Sequence, residues 1–352
     1  MIHLVTGATG FIGSRLALEL LRLGPDHRVI ALARDSQSLP AEKRVLDKLR
    51  EAASKYRLNG LGHAIEDRID VVAGDFEALP NLPVTIDKAW HTAASLKFLD
   101  RDAEEIWASN VFAVENLVAW LEANDVGEIN HVSTAYVAGI AEGTIPETGY
   151  DPTVPTNNFY EKSKRMGEDI VVRSTLPYRI MRPSIVVGDS STFETMSAAG
   201  LYGFHRSVRM FKKRVAAHFG ELFTNTQVNL ITNPEARADF VTVDRCVGGM
   251  VLAGMGEAPL GSITHLTNPA APNMADTLST VFSVLGLRTP KFVSSSGQLS
   301  SIDKELGEKI DFYAPYIKQA KEFEHRSSVV EEITTFPIAV PELERLLLAV
   351  SR

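Results

Sequence analysis

A tyrosine and a lysine that together could move a proton lie four positions apart, in the segment Tyr160-Glu161-Lys162-Ser163-Lys164. On a helix this spacing places both side chains on one face. An ammonium beside a phenol favours the phenolate and lowers the tyrosine pKa from about 10 toward neutrality. A phenol tuned in this way can exchange a proton with a carbonyl oxygen, so the pair predicts a general acid or base. Tyr and Lys also fall at this spacing by chance, and further signals are needed.

Polar side chains upstream of this pair are candidates for the same chemistry. Ser133 and Thr134 end a predicted strand over residues 129–133, where a hydroxyl can hydrogen-bond a substrate oxygen or simply cap the strand. Asn110 precedes the apolar helical stretch VFAVENLVAWL. It is either a plain N-cap or the holder of a water that relays protons to Lys164.

A glycine-rich segment, VTGATGFIG over residues 5–13, separates the first predicted strand from the first helix. Gly7 suits a tight turn, Gly10 lets the backbone approach a pyrophosphate, and Gly13 lets the helix pack closely on the strand. The amides and dipole of the helix then face the anion. Its position between a strand and an amphipathic helix makes this segment a predicted dinucleotide-binding turn.

The cofactor type is predicted from the end of the second strand, which reads Leu-Ala-Arg34-Asp35. Arg34 is a planar cation suited to the 2′-phosphate of NADP, and Arg15 lies within reach of the same side. Asp35 would instead serve the ribose hydroxyl of NAD. We expect NADP(H) to be preferred, with NAD(H) as the alternative. Asp75, after the third strand, is a candidate acceptor for the adenine amino group.

Alternation of short strands and amphipathic helices provides the scaffold for these residues. It predicts crossover connections and therefore an α/β fold, a doubly wound parallel sheet of the Rossmann type with ligands at the carboxyl ends of its strands. The predicted strands are 2–6, 28–33, 69–73, 87–91, 129–133 and 178–182, and the predicted helices are 11–23, 40–59, 103–123 and 158–174. Residues 237–254 are expected to add one more strand and helix to the sheet.

The regular alternation stops after Gly188, which predicts two units. Residues 1–188 plus 236–268 are expected to form the dinucleotide-binding domain, and 189–235 plus 269–352 a smaller substrate-binding lobe. Within the lobe, residues 205–214 (HRSVRMFKKR) hold five basic side chains. These are either a phosphate-binding patch or a solvated helix face.

Composition narrows the classes of protein. The 352 residues carry a net charge of −8, which argues against general nucleic-acid binding. The single cysteine, Cys246, excludes an intrachain disulfide and a cysteine-only metal site, and we expect no metal. No apolar run approaches the roughly 20 residues of a membrane span. With the first strand starting at Ile2, we expect no signal peptide and a cytoplasmic location.

The ordered motifs TGATGFIG, GDF, HTAA, Asn110, VSTA, YEKSK and RPS resemble the extended short-chain dehydrogenase/reductase family. The charged helix 40–57, the segment RIDVVAGDFE over 68–77 and RADFVTVD over 237–244 are similar to the branch of fatty acyl-CoA reductases and of the reductase domains of carboxylic acid reductases and peptide synthetases. The likeness covers about residues 1–270. It departs from the branch at Phe193, where glycine is expected, and at Thr242, where proline is common.

The resemblance implies roles for individual residues. Tyr160 is the general acid or base, Lys164 holds the nicotinamide ribose, Thr134 polarises the substrate oxygen and Asn110 supports the proton relay. His91 and Thr92 are expected in the wall behind the cofactor. The residues implied to bind the cofactor are Thr6, Gly7, Thr9, Gly10, Phe11, Ile12, Gly13, Arg15, Arg34, Asp75, Phe76, Ala93, Ala94, Tyr160, Lys164, Pro183 and Ser184.

The resemblance also implies an activity. We expect an NADP-dependent oxidoreductase that transfers hydride to a carbonyl, above all an acyl thioester linked to CoA or to a carrier protein, or the derived aldehyde. One alternative is a dehydrogenase, reductase or epimerase of another ketone, alcohol or nucleotide sugar. The other is a non-catalytic NADP-sensing protein, which the tuned phenol argues against. A homodimer through helices 103–123 and 158–174 is a further expectation.

Overall fold

A computed structural model of the chain describes residues 1–82, 84–219, 226–325 and 336–351. The strands of its main sheet are β1 (Ile2–Thr6), β2 (Arg28–Ala33), β3 (Ile69–Ala73), β4 (Lys88–His91), β5 (Ile129–Val132), β7 (Tyr178–Pro183) and β11 (Ser262–Leu266). All seven are parallel, in the order β3-β2-β1-β4-β5-β7-β11. The strand order reverses between β1 and β4, which is where such sheets bind ligands. The predicted doubly wound α/β fold is confirmed.

Helices cover both faces of the sheet, because strands buried on both sides need two apolar layers. They are α1 (Phe11–Arg22), α2 (Ala41–Lys55), α3 (Gly62–Arg68), α4 (Ala103–Trp107), α5 (Ala113–Ala123), α6 (Phe159–Arg173) and α8 (Val243–Leu252). On one face, α1 and α8 pack through Leu16, Leu20 and Met250. On the other, α5 and α6 pack through Leu117 and Val171.

The last strand of the sheet differs from the sequence-based expectation. The segment 237–254 does contain a strand, β10 (Phe240–Thr242), and the helix α8. However, β10 pairs with β8 (Ile185–Val187) in a separate two-stranded sheet. The seventh position is taken by β11, which follows α8 and pairs with β7. The expectation that residues 237–254 add a strand to the main sheet was therefore wrong, because the short strand β10 pairs with β8 outside that sheet.

A second apolar cluster lies outside the sheet. It joins residues of α7 (Gly200–Phe219), α9 (Met274–Val284), α10 (Ser301–Ile310) and α12 (Val340–Ala349). The helix α7 lies within residues 189–235, for which no regular element was predicted. Residues 220–225 and 326–335 of the predicted lobe, and Arg352, lie outside the described residues. The remaining elements are β6 (Gly143–Ile145) with β13 (Lys321–Phe323), β9 (Asn229–Ile231) with β12 (Lys291–Val293), and α11 (Ala314–Lys318).

The basic stretch 205–214 lies on α7, and two of its basic side chains have partners within the lobe. The Lys212 ammonium donates to the Leu285 carbonyl oxygen at 2.5 Å. The Arg214 guanidinium lies 3.1 Å from the Glu305 carboxylate. These two cations therefore serve lobe packing, which does not support a phosphate role for them. No helix among the described residues is both long and apolar enough to cross a bilayer.

Candidate active site

The turn between β1 and α1 has the geometry that its glycines predict. Gly7 has φ +79°, a backbone conformation that favours glycine. A Cβ on Gly13 would lie 2.2 Å from the Gly7 carbonyl oxygen and 2.6 Å from the Thr92 Oγ1. The Thr92 hydroxyl in turn donates to the Thr6 carbonyl oxygen at 2.7 Å. Close packing of α1, the turn and the end of β4 therefore depends on Gly7 and Gly13 having no side chain.

This turn opens on a cavity of about 410 Å³ at the carboxyl ends of β1, β2, β3 and β4. A cradle of glycine backbone beside a helix N-terminus fits a pyrophosphate, and the cavity volume fits a large part of a dinucleotide. Predicted cofactor residues that line it are Gly7, Thr9, Gly10, Arg34, Asp75, Phe76, Ala93 and Ala94, together with Thr92. Lining residues not predicted from sequence include Leu32, Arg44, Gly74, Glu77, Ser95, Glu105, Ser109 and Asn116.

At the end of β2, Arg34 and Asp35, the two residues considered for cofactor choice, have different surroundings. One Asp35 carboxylate oxygen accepts the Ala41 amide at 2.7 Å and so satisfies the N-terminus of α2. Arg34 instead lines the cavity with Arg44, whose guanidinium donates to the Arg34 carbonyl oxygen. The Arg34 guanidinium lies 4.0 Å from the Asp75 carboxylate. Two cations thus flank the cavity, as predicted, but the second is Arg44 of helix α2 and not Arg15.

Arg15 lies elsewhere. Its side chain is buried, pairs with the Glu19 carboxylate at 2.5 Å and lies over the Tyr56 ring at 6.0 Å. It is not among the residues lining the cavity. The prediction that Arg15 meets the cofactor phosphate is therefore corrected, because its place one turn into α1 points it toward Tyr56, just after α2.

Several other predicted cofactor residues shape the turn from behind. The Thr6 Oγ1 is hydrogen-bonded to the His91 Nδ1 at 2.7 Å. Phe11 and Ile12 begin α1 and pack against the first apolar cluster. None of these three, nor Gly13, lines the cavity. Their support for the turn is structural, and direct contact with a cofactor stays a prediction.

A second group of predicted residues meets at the ends of β5 and β7. The Thr134 hydroxyl lies close enough to the Tyr160 phenol to lower its pKa, and it donates to the Pro183 carbonyl oxygen at 3.5 Å. The Lys164 ammonium is buried and donates to the Val132 carbonyl oxygen at 2.7 Å. Ser184 follows Pro183 and is also buried. Of the two candidate hydroxyls, Thr134 is the one that acts on the pKa of Tyr160.

The pKa of Tyr160 moves in the direction opposite to the one predicted. Burial and the neighbouring Glu161 carboxylate raise it to about 12, while the Thr134 hydroxyl lowers it. Lys164 does not reverse the shift, and burial lowers its own pKa to about 8. In the chain alone the phenol is therefore protonated at neutral pH, which suits a proton donor more than a base.

Asn110 is not a helix N-cap. It lies within a π-helical turn, Ala108–Phe112, that joins α4 and α5 into one continuous helix. Its side chain accepts from the Ser95 amide at 2.7 Å and donates to the Ser95 carbonyl oxygen at 3.0 Å and to the Ser163 hydroxyl at 3.0 Å. The amide thus anchors the loop after β4 to α6, and its side chain bonds Ser163 instead of Lys164.

Two stacked histidines lie behind the site on adjacent strands. The His91 and His131 rings are 5.4 Å apart and nearly parallel. Burial and the Lys164 charge lower the pKa of both rings, that of His91 to about 3. Both are therefore neutral at physiological pH. The place of His91 in a wall behind the cofactor stays a prediction.

An apolar pocket of about 50 Å³ lies on the side of the second cluster. Tyr136 lines it, and the Tyr136 backbone amide donates to the Thr134 Oγ1 at 3.3 Å, so the pocket lies near Thr134. Aromatic side chains and one carboxylate, Asp239, contribute to its wall. Its lining includes Tyr136, Leu201, Phe204, Asp239, Phe240, Met274, Leu278, Tyr313 and Tyr316.

Comparison with known proteins also points to a nucleotide-binding family. The family model described as male sterility protein, an NAD-binding family, matches residues 5–250. A linear gramicidin synthase of Brevibacillus parabrevis is 26% identical over 296 residues, 79% of this chain and 5% of that protein. Fatty acyl-CoA reductase 1 of Xenopus laevis is 30% identical over 183 residues, 48% of this chain and 34% of that protein. The chain thus spans a minor part of each relative.

Solved structures share the fold over nearly the whole chain. The terminal R domain of the myxalamid PKS-NRPS pathway has a TM-score of 0.73 at 22% identity, covering 99% of this chain and 90% of that one. UDP-glucuronic acid 4-epimerase of Bacillus cereus, in complex with NAD, has a TM-score of 0.65 at 19% identity, covering 100% and 99%. Because the family model matches well over half of the residues, the chain belongs to the male sterility protein family of NAD-binding domains.

Proposed function

We propose that this protein is an NADP(H)-dependent reductase of acyl thioesters, or of the aldehydes derived from them. The observation that carries the proposal is the position of Thr134, whose hydroxyl lies close enough to the Tyr160 phenol to lower its pKa and accepts the backbone amide of Tyr136, a residue that lines the apolar pocket. Relatives named as a peptide synthase and a fatty acyl-CoA reductase support a thioester as substrate. A CoA-linked or carrier-linked acyl group is therefore the expected form.

The proposed mechanism gives a role to each residue of the group at the ends of β5 and β7. The bound cofactor supplies the hydride to the carbonyl carbon. The Thr134 hydroxyl and the Tyr160 phenol hold the carbonyl oxygen, and Tyr160 donates its proton as negative charge develops there. The resulting hemithioacetal loses the thiol to give the aldehyde. Lys164 would hold the nicotinamide ribose, and Pro183 and Ser184 would line the site of the ring.

NADP preference is proposed from the two cations at the dinucleotide cavity. Arg34 and Arg44 line it together, whereas one Asp35 oxygen is committed to the α2 amide. Guanidinium groups bind phosphate through charge-assisted hydrogen bonds, each of which contributes about a tenfold gain in affinity. Replacing Arg34 or Arg44 by Ala should weaken NADPH binding by about tenfold each and leave NADH binding nearly unchanged.

Fluorescence titration with both nucleotides measures this change. Arg28→Ala is the matched control, because Arg28 begins the same strand at its opposite end and pairs with Asp70. Equal losses for NADPH and NADH in the Arg34 and Arg44 variants would show that these cations do not read the 2′-phosphate.

Substrate class is tested by following NADPH consumption with acyl-CoAs, carrier-linked acyl groups, aldehydes and ketones. We expect turnover of thioesters with release of free thiol. Turnover confined to ketones, alcohols or nucleotide sugars would favour the alternative dehydrogenase or epimerase. Nucleotide binding without turnover of any carbonyl would favour a sensing protein.

A further inference from the structure

The apolar pocket meets the reacting residues at two points. Tyr136 lines the pocket, and its backbone amide donates to the Thr134 Oγ1 at 3.3 Å. Ile185 also lines it, two positions after Pro183, whose carbonyl oxygen accepts the Thr134 hydroxyl at 3.5 Å. The wall of the pocket thus continues from the two chain segments that converge on Thr134. An acyl chain whose carbonyl is held by Thr134 and Tyr160 can therefore extend into this pocket.

Polar side chains in the pocket wall are hydrogen-bonded to the protein. The Tyr316 hydroxyl donates to the Glu161 carboxylate at 2.9 Å. The Thr277 hydroxyl donates at 2.9 Å to the carbonyl oxygen four residues earlier in the chain. The Asp239 Oδ1 accepts the Asn268 amide at 2.9 Å. With these groups engaged and the rest of the wall aliphatic or aromatic, the pocket suits a hydrocarbon chain.

Two helices of the second apolar cluster limit the size of the pocket. The helix α9 presents one face to it, at the spacing of successive helical turns, with Met274, Thr277, Leu278 and Val281. The helix α7 contributes Leu201 and Phe204. All six side chains are buried. Helix α12 packs against α9 within the same cluster, so a chain too long for the pocket would have to displace a packed helix.

The volume of the pocket gives the length of chain that it can hold. It measures about 50 Å³. Because one water-sized group occupies about 10–15 Å³, the pocket holds about three to five carbon atoms. The carbonyl carbon stays outside, with Thr134 and Tyr160. Butanoyl to hexanoyl chains therefore fill the pocket, and longer chains meet α9.

We propose that this pocket makes the protein selective for short, unsubstituted acyl chains, and that Leu278 of α9 limits their length. The inference rests on the proposed function and names its substrate class. Each methylene that enters the pocket should raise kcat/KM about fourfold, because it leaves water for an apolar site. Each methylene beyond the limit should lower it by about tenfold or more.

A series of thioesters from acetyl-CoA to palmitoyl-CoA tests the limit. NADPH consumption gives kcat/KM, and calorimetry gives the affinity for the protein loaded with NADP⁺, which has no hydride to transfer. Both quantities should be highest between butanoyl-CoA and hexanoyl-CoA. In Leu278→Ala the optimum should move to chains about three carbons longer, because the wall loses that many atoms. Ala238→Val adds atoms to the wall and should move the optimum to shorter chains.

Leu343→Ala is the matched control. Leu343 is buried in the second cluster, as Leu278 is, but does not line the pocket. Its loss should lower stability and leave the chain-length profile unchanged.

Affinity that keeps rising up to palmitoyl-CoA in the wild type would overturn the inference, and this measurement needs no variant to fold. An optimum that stays in place in folded Leu278→Ala or Ala238→Val would overturn it as well. A binding optimum at short chains without turnover of any thioester or aldehyde would instead contradict the proposed function, so the two failures are distinct.

Discussion

Replacement of Tyr160 by Phe is expected to lower kcat by about 10²–10⁴-fold. The variant keeps the ring but loses the proton that the developing oxyanion needs. NADPH affinity should change little, because Tyr160 does not line the dinucleotide cavity. Single-turnover rates of NADPH oxidation and a separate nucleotide titration measure the two quantities.

Tyr150→Phe is the matched control for this experiment. The Tyr150 hydroxyl donates to the Asp169 carboxylate at 2.6 Å, and its ring stacks under Arg165, so it shares the environment of α6 without reaching Thr134. Its kcat should remain close to that of the wild type. A Tyr160→Phe protein that kept most of its activity would exclude the phenol as proton donor.

Gly13→Ala is expected to destabilise the protein by about 3 kcal/mol or more and to abolish nucleotide binding. The added Cβ would lie 2.2 Å from the Gly7 carbonyl oxygen, which is backbone and cannot rotate away. Helix α1 would have to move off the turn, and the amides that face the pyrophosphate would move with it. Thermal unfolding and NADPH titration check both effects.

Gly60→Ala provides the comparison, because a Cβ at Gly60 has no atom within 4 Å. This substitution should be neutral or slightly stabilising, since alanine restricts the unfolded chain. Wild-type stability and binding in Gly13→Ala would mean that α1 tolerates a wider separation from the turn than its contacts indicate.

The parts of the site that depend on local rules were predictable from the sequence. Glycine at a positive φ, the strand before it and the helix after it leave clear local signals, and so Gly7, Gly10 and Arg34 were placed at the cavity they line. The alternation of strands and helices likewise predicted the parallel sheet, because a helix that crosses over between two strands of one sheet makes those strands parallel.

Features that depend on tertiary contacts were not predictable. Arg44 reaches the cavity only because α2 returns along β2, although a basic residue in an inserted helix after Arg34 was an available signal. Arg15 was misplaced because its direction is set by packing on Tyr56. The pKa of Tyr160 was predicted from the lysine spacing alone, whereas burial and Glu161 determine its direction.

The π turn at Ala108–Phe112 has a consequence for how this protein can vary. A π turn holds one residue more than the regular helical repeat. Deleting one of these five residues would restore the regular repeat and leave the flanking turns of α4 and α5 at nearly the same rotation, because the π turn spreads its extra residue over about the same arc. Asn110 lies within the turn that would be rebuilt, so its side chain would lose the position from which it bonds both Ser95 and Ser163. The number of residues in this helix should therefore be under stronger selection than the identity of its exposed side chains.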